Sequence, residues 1–229
     1  MIKNVILGGV MDCKGVIFDF NGTLFWDSEK HEIAWREFSK EIRGRELNEE
    51  EFKTKVHGRT NKLILEYIIG EDCEESRIDE LSKEKERLYR NLCKEDKDTF
   101  KLVPGAEKFF DYLKEKEIPF TIATASIKEN VDFFVESFNL RKWFEIDKIA
   151  FDDGNTKSKP DPDIYLKAAK LLGVDIKECI VFEDAISGIK SASNAGVKEI
   201  IVIDRLGKKE SFKEIKGVKR IIKDFNELL

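Results

Sequence analysis

Val16-Ile17-Phe18-Asp19-Phe20-Asn21-Gly22-Thr23-Leu24 is the stretch whose reading decides the fold. Three apolar residues deliver a carboxylate, and the chain then breaks at Asn21-Gly22. A short apolar run of this kind reads as a buried parallel strand, with Gly22 as the turn at its end. In open α/β sheets, ligands gather just beyond the carboxyl ends of the strands. Asp19 therefore stands where a nucleophile or a metal ligand would stand.

Outward from this strand, which is predicted over 15–20, apolar runs recur at 118–123, 146–151, 179–182 and 199–203, with a weaker one at 220–222. Helix-period segments lie between them at 104–116, 128–138, 162–172 and 186–195. Strands alternating with helices of this length predict a parallel sheet covered on both faces. Pro162 near the first turn and Gly173 after the last bound one of these helices. The interval 27–99 differs, because it carries helix patterns and no strand pattern. Ile33, Ala34, Phe38 and Ile42 fall at amphipathic spacing over 28–43, and further helices are expected over 61–69 and 79–93. The expected organisation is a core formed by 11–26 and 100–229, with a helical insert over 27–99 and hinges near 26–27 and 100–104.

The chain has 229 residues, 41% of them hydrophobic, enough for one large domain or a domain carrying a smaller insert. Lys and Arg number 41 against 46 Asp and Glu, a net charge of -5 without the basic face that nucleic acid requires. Cys13, Cys73, Cys93 and Cys179 form no C-x-x-C pair, so a zinc site and a disulfide framework are set aside in favour of reduced thiols in a cytoplasmic protein. No apolar run reaches membrane-spanning length, and no membrane partner is expected. Residues 1–10 lack the layout of a cleavable signal, and Met11 reads as a second start. Nothing in the chain demands more than a monomer.

Four strand ends carry polar chemistry. The first presents Asp19, the second Thr124-Ala125-Ser126, a loop after the third Lys159-Pro160-Asp161-Pro162, and the fourth Glu183-Asp184 before a Ser187-Gly188 turn. Taken singly, each has a plain structural explanation: an Asp or a Thr-x-Ser after a strand caps the next helix, a Lys before Pro lies on the surface, and paired acids are solvated. Their joint occurrence, in this order, carries the chemical reading. Carboxylates with a backbone carbonyl make an oxygen-rich site suited to Mg²⁺. A hydroxyl, a backbone amide and a Lys would neutralise the remaining oxygens of a phosphoryl group, whose transfer needs positioning and charge stabilisation. An Asp carboxylate is an established nucleophile toward phosphorus.

With these motifs in hand, the chain resembles the haloacid dehalogenase superfamily of phosphotransferases, in the helical-cap branch that includes β-phosphoglucomutase and sugar-phosphate phosphatases. The resemblance extends from Lys14 to about Ile222. It implies a Rossmann-like, doubly wound parallel sheet with an inserted all-helical cap, acting on a small phosphorylated metabolite. It implies that Asp19 is the nucleophile and a Mg²⁺ ligand, that the Asn21 carbonyl and Asp184 complete the protein ligands, and that Glu183 ligates or holds a metal-bound water. Thr124, the Ala125 amide and Ser126 would meet the phosphoryl group, and Lys159 would pair with nucleophile and phosphate. In the cap, His31, Trp35 and the Gly58-Arg59-Thr60 turn match substrate-facing positions. For Trp35 plain core packing competes with that role, whereas Arg59 suits a second anionic group. His57 reads as surface, and Asp27-Ser28 as hinge and helix N-cap. Cap closure would exclude water.

Asn21 departs from the family pattern, which places there an Asp that protonates the leaving oxygen and activates the acceptor. An amide cannot shuttle a proton. Four readings stay open: a phosphatase slowed by Asn21 and favouring good leaving groups, one in which His31 or Asp27 supplies the proton, an Asn introduced to trap a complex, and a binder of phosphorylated ligands without turnover. Isomerisation of the β-phosphoglucomutase type is an alternative to hydrolysis. Phosphonate cleavage would need a Schiff-base lysine, for which the sequence near Lys62 offers no counterpart.

Overall fold

The computed structural model describes residues 12–56, 59–70, 73–205, 207, 212 and 214–229. The readings made for residues 1–10, Met11, His57 and Gly58 lie outside these. The chain forms two compact units, one running to Trp26 and resuming at Lys101, the other spanning Asp27–Phe100. In chain order the helices are α1 (Ser28–Arg43), α2 (Asn61–Ile69), α3 (Glu75–Glu95), α4 (Ala106–Glu115), α5 (Lys128–Ser137), α6 (Asp163–Leu172) and α7 (Ile186–Ala195).

The first unit is built on a six-stranded sheet. Its strands are β1 (Gly15–Phe18), β2 (Phe120–Ile127), β3 (Ala150–Asp152), β4 (Cys179–Glu183), β5 (Glu199–Ile203) and β6 (Val218–Ile222). They lie in the order β3-β2-β1-β4-β5-β6, and all pairs are parallel. This is the Rossmann-like, doubly wound arrangement. The apolar runs of β1 and β4 are buried along their whole length. Alternate residues serve opposite faces, as strand geometry requires. Ile17 and Val181 join a cluster with Ile164 of α6 and Ile189 of α7. Phe18 instead stacks on Phe182 (ring centroids 5.0 Å apart) and meets Phe110 of α4 edge-on at 5.4 Å.

Several element boundaries differ from the sequence reading. The first strand stops at Phe18, because the Phe20 carbonyl already accepts from the Leu24 and Phe25 amides in a turn. The second runs on to Ile127, which pairs with Asp152, so Thr124, Ala125 and Ser126 lie inside β2 and not after it. The expected strand over 146–151 divides into a 3₁₀ turn, Ile146–Lys148, and the three residues of β3. There the Ile149 amide bonds back to the Ile146 carbonyl at 3.1 Å.

The second unit is helical. Its core gathers Trp35 and Phe38 of α1, Leu47, Phe52, Ile64 and Leu65 of α2, and Leu81 of α3. The helix expected over 79–93 is longer, Glu75–Glu95. An additional turn, Glu49–Glu51, starts with a capping box between Asn48 and Glu51 and widens over Phe52–Val56. Asp27 occupies the N-cap position of α1 but makes no capping bond; its carboxylate accepts from the Tyr89 hydroxyl instead. Among the described residues no helix is long and apolar enough to cross a membrane.

Candidate active site

Strand order reverses at β1, which lies between β2 and β4. Such a reversal opens a crevice beyond the carboxyl ends of the strands. Phe18 stands opposite Phe182, and the Asp19 amide donates to the Phe182 carbonyl at 2.9 Å. Asp19 and the pair Glu183-Asp184 therefore leave neighbouring strands at the same level. Carboxylate oxygens of these three residues lie within 4.8 Å of one another.

Three carboxylates at this separation require a counter-charge. Lys159 supplies one: its Nζ is 2.6 Å from Asp19 Oδ1 and 2.6 Å from Glu183 Oε1. Lys159 comes from the loop between β3 and α6, and its bond to Pro160 is cis. Helix α7 grips that loop, with Ser191 Oγ donating to the Asp161 carbonyl (2.5 Å) and Asn194 Nδ2 to the Pro160 carbonyl (3.0 Å). Glu183 accepts further from the Tyr165 hydroxyl at 2.9 Å and from the amides of Asp184 and Ala185, each at 2.8 Å. Asp184 accepts from Thr23 Oγ1 at 3.0 Å.

Two glycines make room for these acids. Gly22 has φ +82°, and a Cβ there would lie 2.2 Å from Asp184 Oδ2. A Cβ on Gly188 of α7 would lie 1.5 Å from Glu183 Oε1. Gly188→Ala is accordingly expected to force Glu183 off Lys159 or to displace α7, with overpacking of about 1–3 kcal/mol. Thermal melts should show a fall of several degrees; a wild-type melting temperature would contradict the placement of Glu183.

One ammonium does not neutralise three carboxylates. Burial, assisted by Glu183, pushes the Asp19 carboxyl up to about 7 despite the pull of Lys159. Burial and the charges of Glu183 and Asp19 hold Asp184 well above the usual carboxylate range. Burial disfavours the Lys159 ammonium, but Asp19 and Glu183 outweigh it and keep that amine raised and charged. An oxygen-only donor set with a deficit of positive charge fits Mg²⁺, a hard cation that takes few carboxylates.

Asn21 follows two residues after Asp19 and reaches β2. Its Oδ1 accepts from Ser126 Oγ (2.8 Å) and Thr124 Oγ1 (3.3 Å), and the Ser126 amide donates to Thr124 Oγ1 at 3.1 Å. Ala125, between them, is exposed. The core unit thus assembles Asp19, Asn21, Thr124, Ser126, Lys159, Glu183 and Asp184. The remaining three sequence candidates belong to the helical unit. Trp35 is buried in its core beneath the Lys85 ammonium, 4.8 Å from the ring centroid. His31 stacks on Tyr89 with centroids 3.9 Å apart, and its Nε2 is 3.6 Å from Asp27 Oδ2. Arg59 is exposed, with Nη2 3.5 Å from the Thr54 carbonyl.

Sequence reasoning missed Thr23, Tyr165 and Gly188. Thr23 belongs to the quoted stretch, so its position could have flagged it; Gly188 read as part of a turn with Ser187, whereas both lie inside α7. Tyr165 falls at an apolar helical position, where an aromatic residue reads as core.

A doubly wound parallel core with a charged site at its switch point defines the class, a Rossmann-like α/β enzyme. The chain belongs to the haloacid dehalogenase-like hydrolase family, whose model matches residues 13–196. It is similar to a crystal structure of a HAD hydrolase, family IA, variant 3, from Entamoeba histolytica HM-1:IMSS, with a TM-score of 0.87 and 46% identity over 93% of this chain and 94% of that one. The β-phosphoglucomutase of Bacillus subtilis is 32% identical over 199 residues, 80% of each chain. The phosphorylated carbohydrates phosphatase of Thermotoga maritima is 27% identical over 191 residues, 82% of this chain and 83% of its own.

Proposed function

We propose that this protein transfers a phosphoryl group from a small phosphomonoester, a sugar phosphate above all, to Asp19 and then to water. The observation that carries the reading is the Lys159 ammonium fixed on Asp19 within an acidic cluster at the sheet's switch point. Phosphatase and phosphomutase relatives that act on carbohydrate phosphates agree with it.

In this reading Asp19, the Asn21 carbonyl and Asp184 would hold Mg²⁺, with Glu183 beside them. Bound there, Mg²⁺ supplies positive charge against the phosphoryl oxygens. An Asp19 oxygen attacks phosphorus, the bond from phosphorus to the substrate oxygen breaks, and that oxygen leaves with its electron pair. Water then attacks the aspartyl-phosphate, which releases phosphate and restores the carboxylate; the proton this water gives up to solvent balances the one the departed alkoxide takes from solvent. Lys159 orients Asp19 and neutralises charge, the Ala125 amide donates to the phosphoryl oxygens, and the Thr124 and Ser126 hydroxyls, which rest on Asn21 Oδ1 in the free enzyme, turn to those oxygens when the ester binds. His31 and Arg59 are assigned to substrate selection, Arg59 through a second anionic group, whereas Trp35 packs the core of the helical unit.

A phosphate-release screen over sugar and nucleoside phosphates with Mg²⁺ tests the proposal. Release from at least one sugar phosphate, abolished by EDTA, is expected. A mutase would convert a sugar 1-phosphate to its 6-phosphate without release, and a pure binder would retain ligand and form no product.

The raised Asp19 carboxyl gives a second, independent check. The folded state holds this proton more tightly than the unfolded chain does, whose value is near 3.8. Its stabilising contribution is present below about pH 4 and is lost as pH rises through about 7. Mg²⁺ competes with that proton, so the rise in melting temperature on adding Mg²⁺ should be larger at pH 7.5 than at pH 5. A shift independent of pH would count against metal binding at Asp19.

A further inference from the structure

We propose that Tyr165 is a positioning residue: its hydroxyl keeps Glu183 turned toward Lys159, and so keeps the Lys159 ammonium on Asp19. The kinetic half of this inference rests on the proposed function; the positional half does not.

A carboxylate offers four lone-pair sites, and Glu183 has four donors. Oε1 receives Lys159 at 2.6 Å and Tyr165 at 2.9 Å; Oε2 receives the Asp184 and Ala185 amides at 2.8 Å each. Gly188 packs so closely on this carboxyl that not even a methyl group fits between them. Glu183 is therefore held in rotation, with Lys159 and Tyr165 on one oxygen and two backbone amides on the other. In this arrangement it serves as a post for Lys159.

Tyr165 is the side-chain donor on this post besides Lys159 itself. It is fully buried on α6, packed with Ile164 and Ala168. A phenylalanine would fill that apolar space equally well, so packing does not explain the hydroxyl. A buried phenol requires an acceptor, and the acceptor here is Glu183. The same ring lies under Lys159, with Nζ 5.1 Å from its centroid, close enough for a cation–π attraction. Tyr165 thus fixes Lys159 twice, once through Glu183 and once through its ring face. The first link is lost in Tyr165→Phe, and the second is kept.

The test compares wild type with Tyr165→Phe in two assays. In the first, the metal-free proteins are acetylated briefly with acetic anhydride, and each lysine is quantified by mass spectrometry. Labelling of Lys159 should rise about fivefold in the variant, while Lys167 and Lys170 of the same helix keep their wild-type rates. In the second, the Mg²⁺-loaded enzymes hydrolyse p-nitrophenyl phosphate. The kcat of the variant should fall about tenfold with KM changed less than about twofold, because Lys159 lies on Asp19 in both steps and its misplacement slows phosphorylation and hydrolysis alike. Unchanged labelling at Lys159, or an equal rise at all three lysines, would overturn the inference. Increased labelling at Lys159 alone in a protein that hydrolyses no phosphate ester would uphold the positioning and overturn the proposed function instead.

Discussion

Asp19→Ala is expected to lower turnover of an activated aryl phosphate by at least about 10⁴-fold while leaving the protein folded. The two halves of this expectation have one cause. Asp19 is buried beside two other carboxyls, and its acid is pushed up to about 7 because ionising it there is unfavourable. Removing it relieves that burden, and Lys159 keeps Glu183 as a partner at 2.6 Å. A site assembled for stability would not carry a carboxylate that its surroundings resist. At pH 7.5 the metal-free variant should melt no lower than wild type, and steady-state assays should find its activity at background. Turnover within tenfold of wild type would rule out Asp19 as the nucleophile.

Asn21→Asp is expected to act in the opposite direction, raising steady-state turnover by at least about tenfold. In wild type the residue is an amide whose Oδ1 accepts from the Ser126 and Thr124 hydroxyls. It orients those donors but carries no exchangeable acid proton. An aspartate of the same shape could keep both bonds and add general acid–base help. The two chemical steps depend on that help unequally. A nitrophenolate departs without a proton, so phosphorylation of Asp19 proceeds with Asn21 in place. Activating water against the aspartyl-phosphate needs a base, and this second step becomes limiting. Stopped-flow traces of wild type should therefore show a burst of nitrophenol near one per enzyme. Asn21→Asp should abolish the burst as it raises the plateau rate. An unchanged rate would mean that another group, with His31 and Asp27 the sequence candidates, already carries the proton.

The parallel core was legible because β1, β4 and β5 are almost wholly apolar, as strands buried on both faces must be. Boundaries went astray where polar residues continue a strand. Thr124 and Ser126 read as the chain leaving the sheet, yet Ile127 pairs with β3 beyond them. Ile146 reads as strand, but the polar pair Asp147-Lys148 turns there, and the Lys148 carbonyl is taken by Thr121 Oγ1 at 2.7 Å. Motif residues of the candidate site were legible because Asp19, Glu183 and Asp184 stand at strand ends, Thr124 and Ser126 among the last residues of β2, and Lys159 in the loop after β3. Their supports were not. Tyr165 is an aromatic at a helical core position, and Gly188 a small residue in a helix; only coordinates show that both close on Glu183. The wide turn over Phe52–Val56 has no signal in its sequence that distinguishes it from ordinary helix.

The central claim is that the phosphoryl group passes through the Asp19 carboxylate, and chemical trapping tests it most directly. Wild-type enzyme mixed with Mg²⁺ and p-nitrophenyl phosphate is quenched during the burst, reduced with borohydride and digested. Borohydride converts an acyl phosphate to an alcohol, so mass spectrometry should find homoserine in place of Asp19, dependent on both substrate and Mg²⁺. An unmodified Asp19 in enzyme that is releasing phosphate, or reduction at another acidic residue, would contradict the claim.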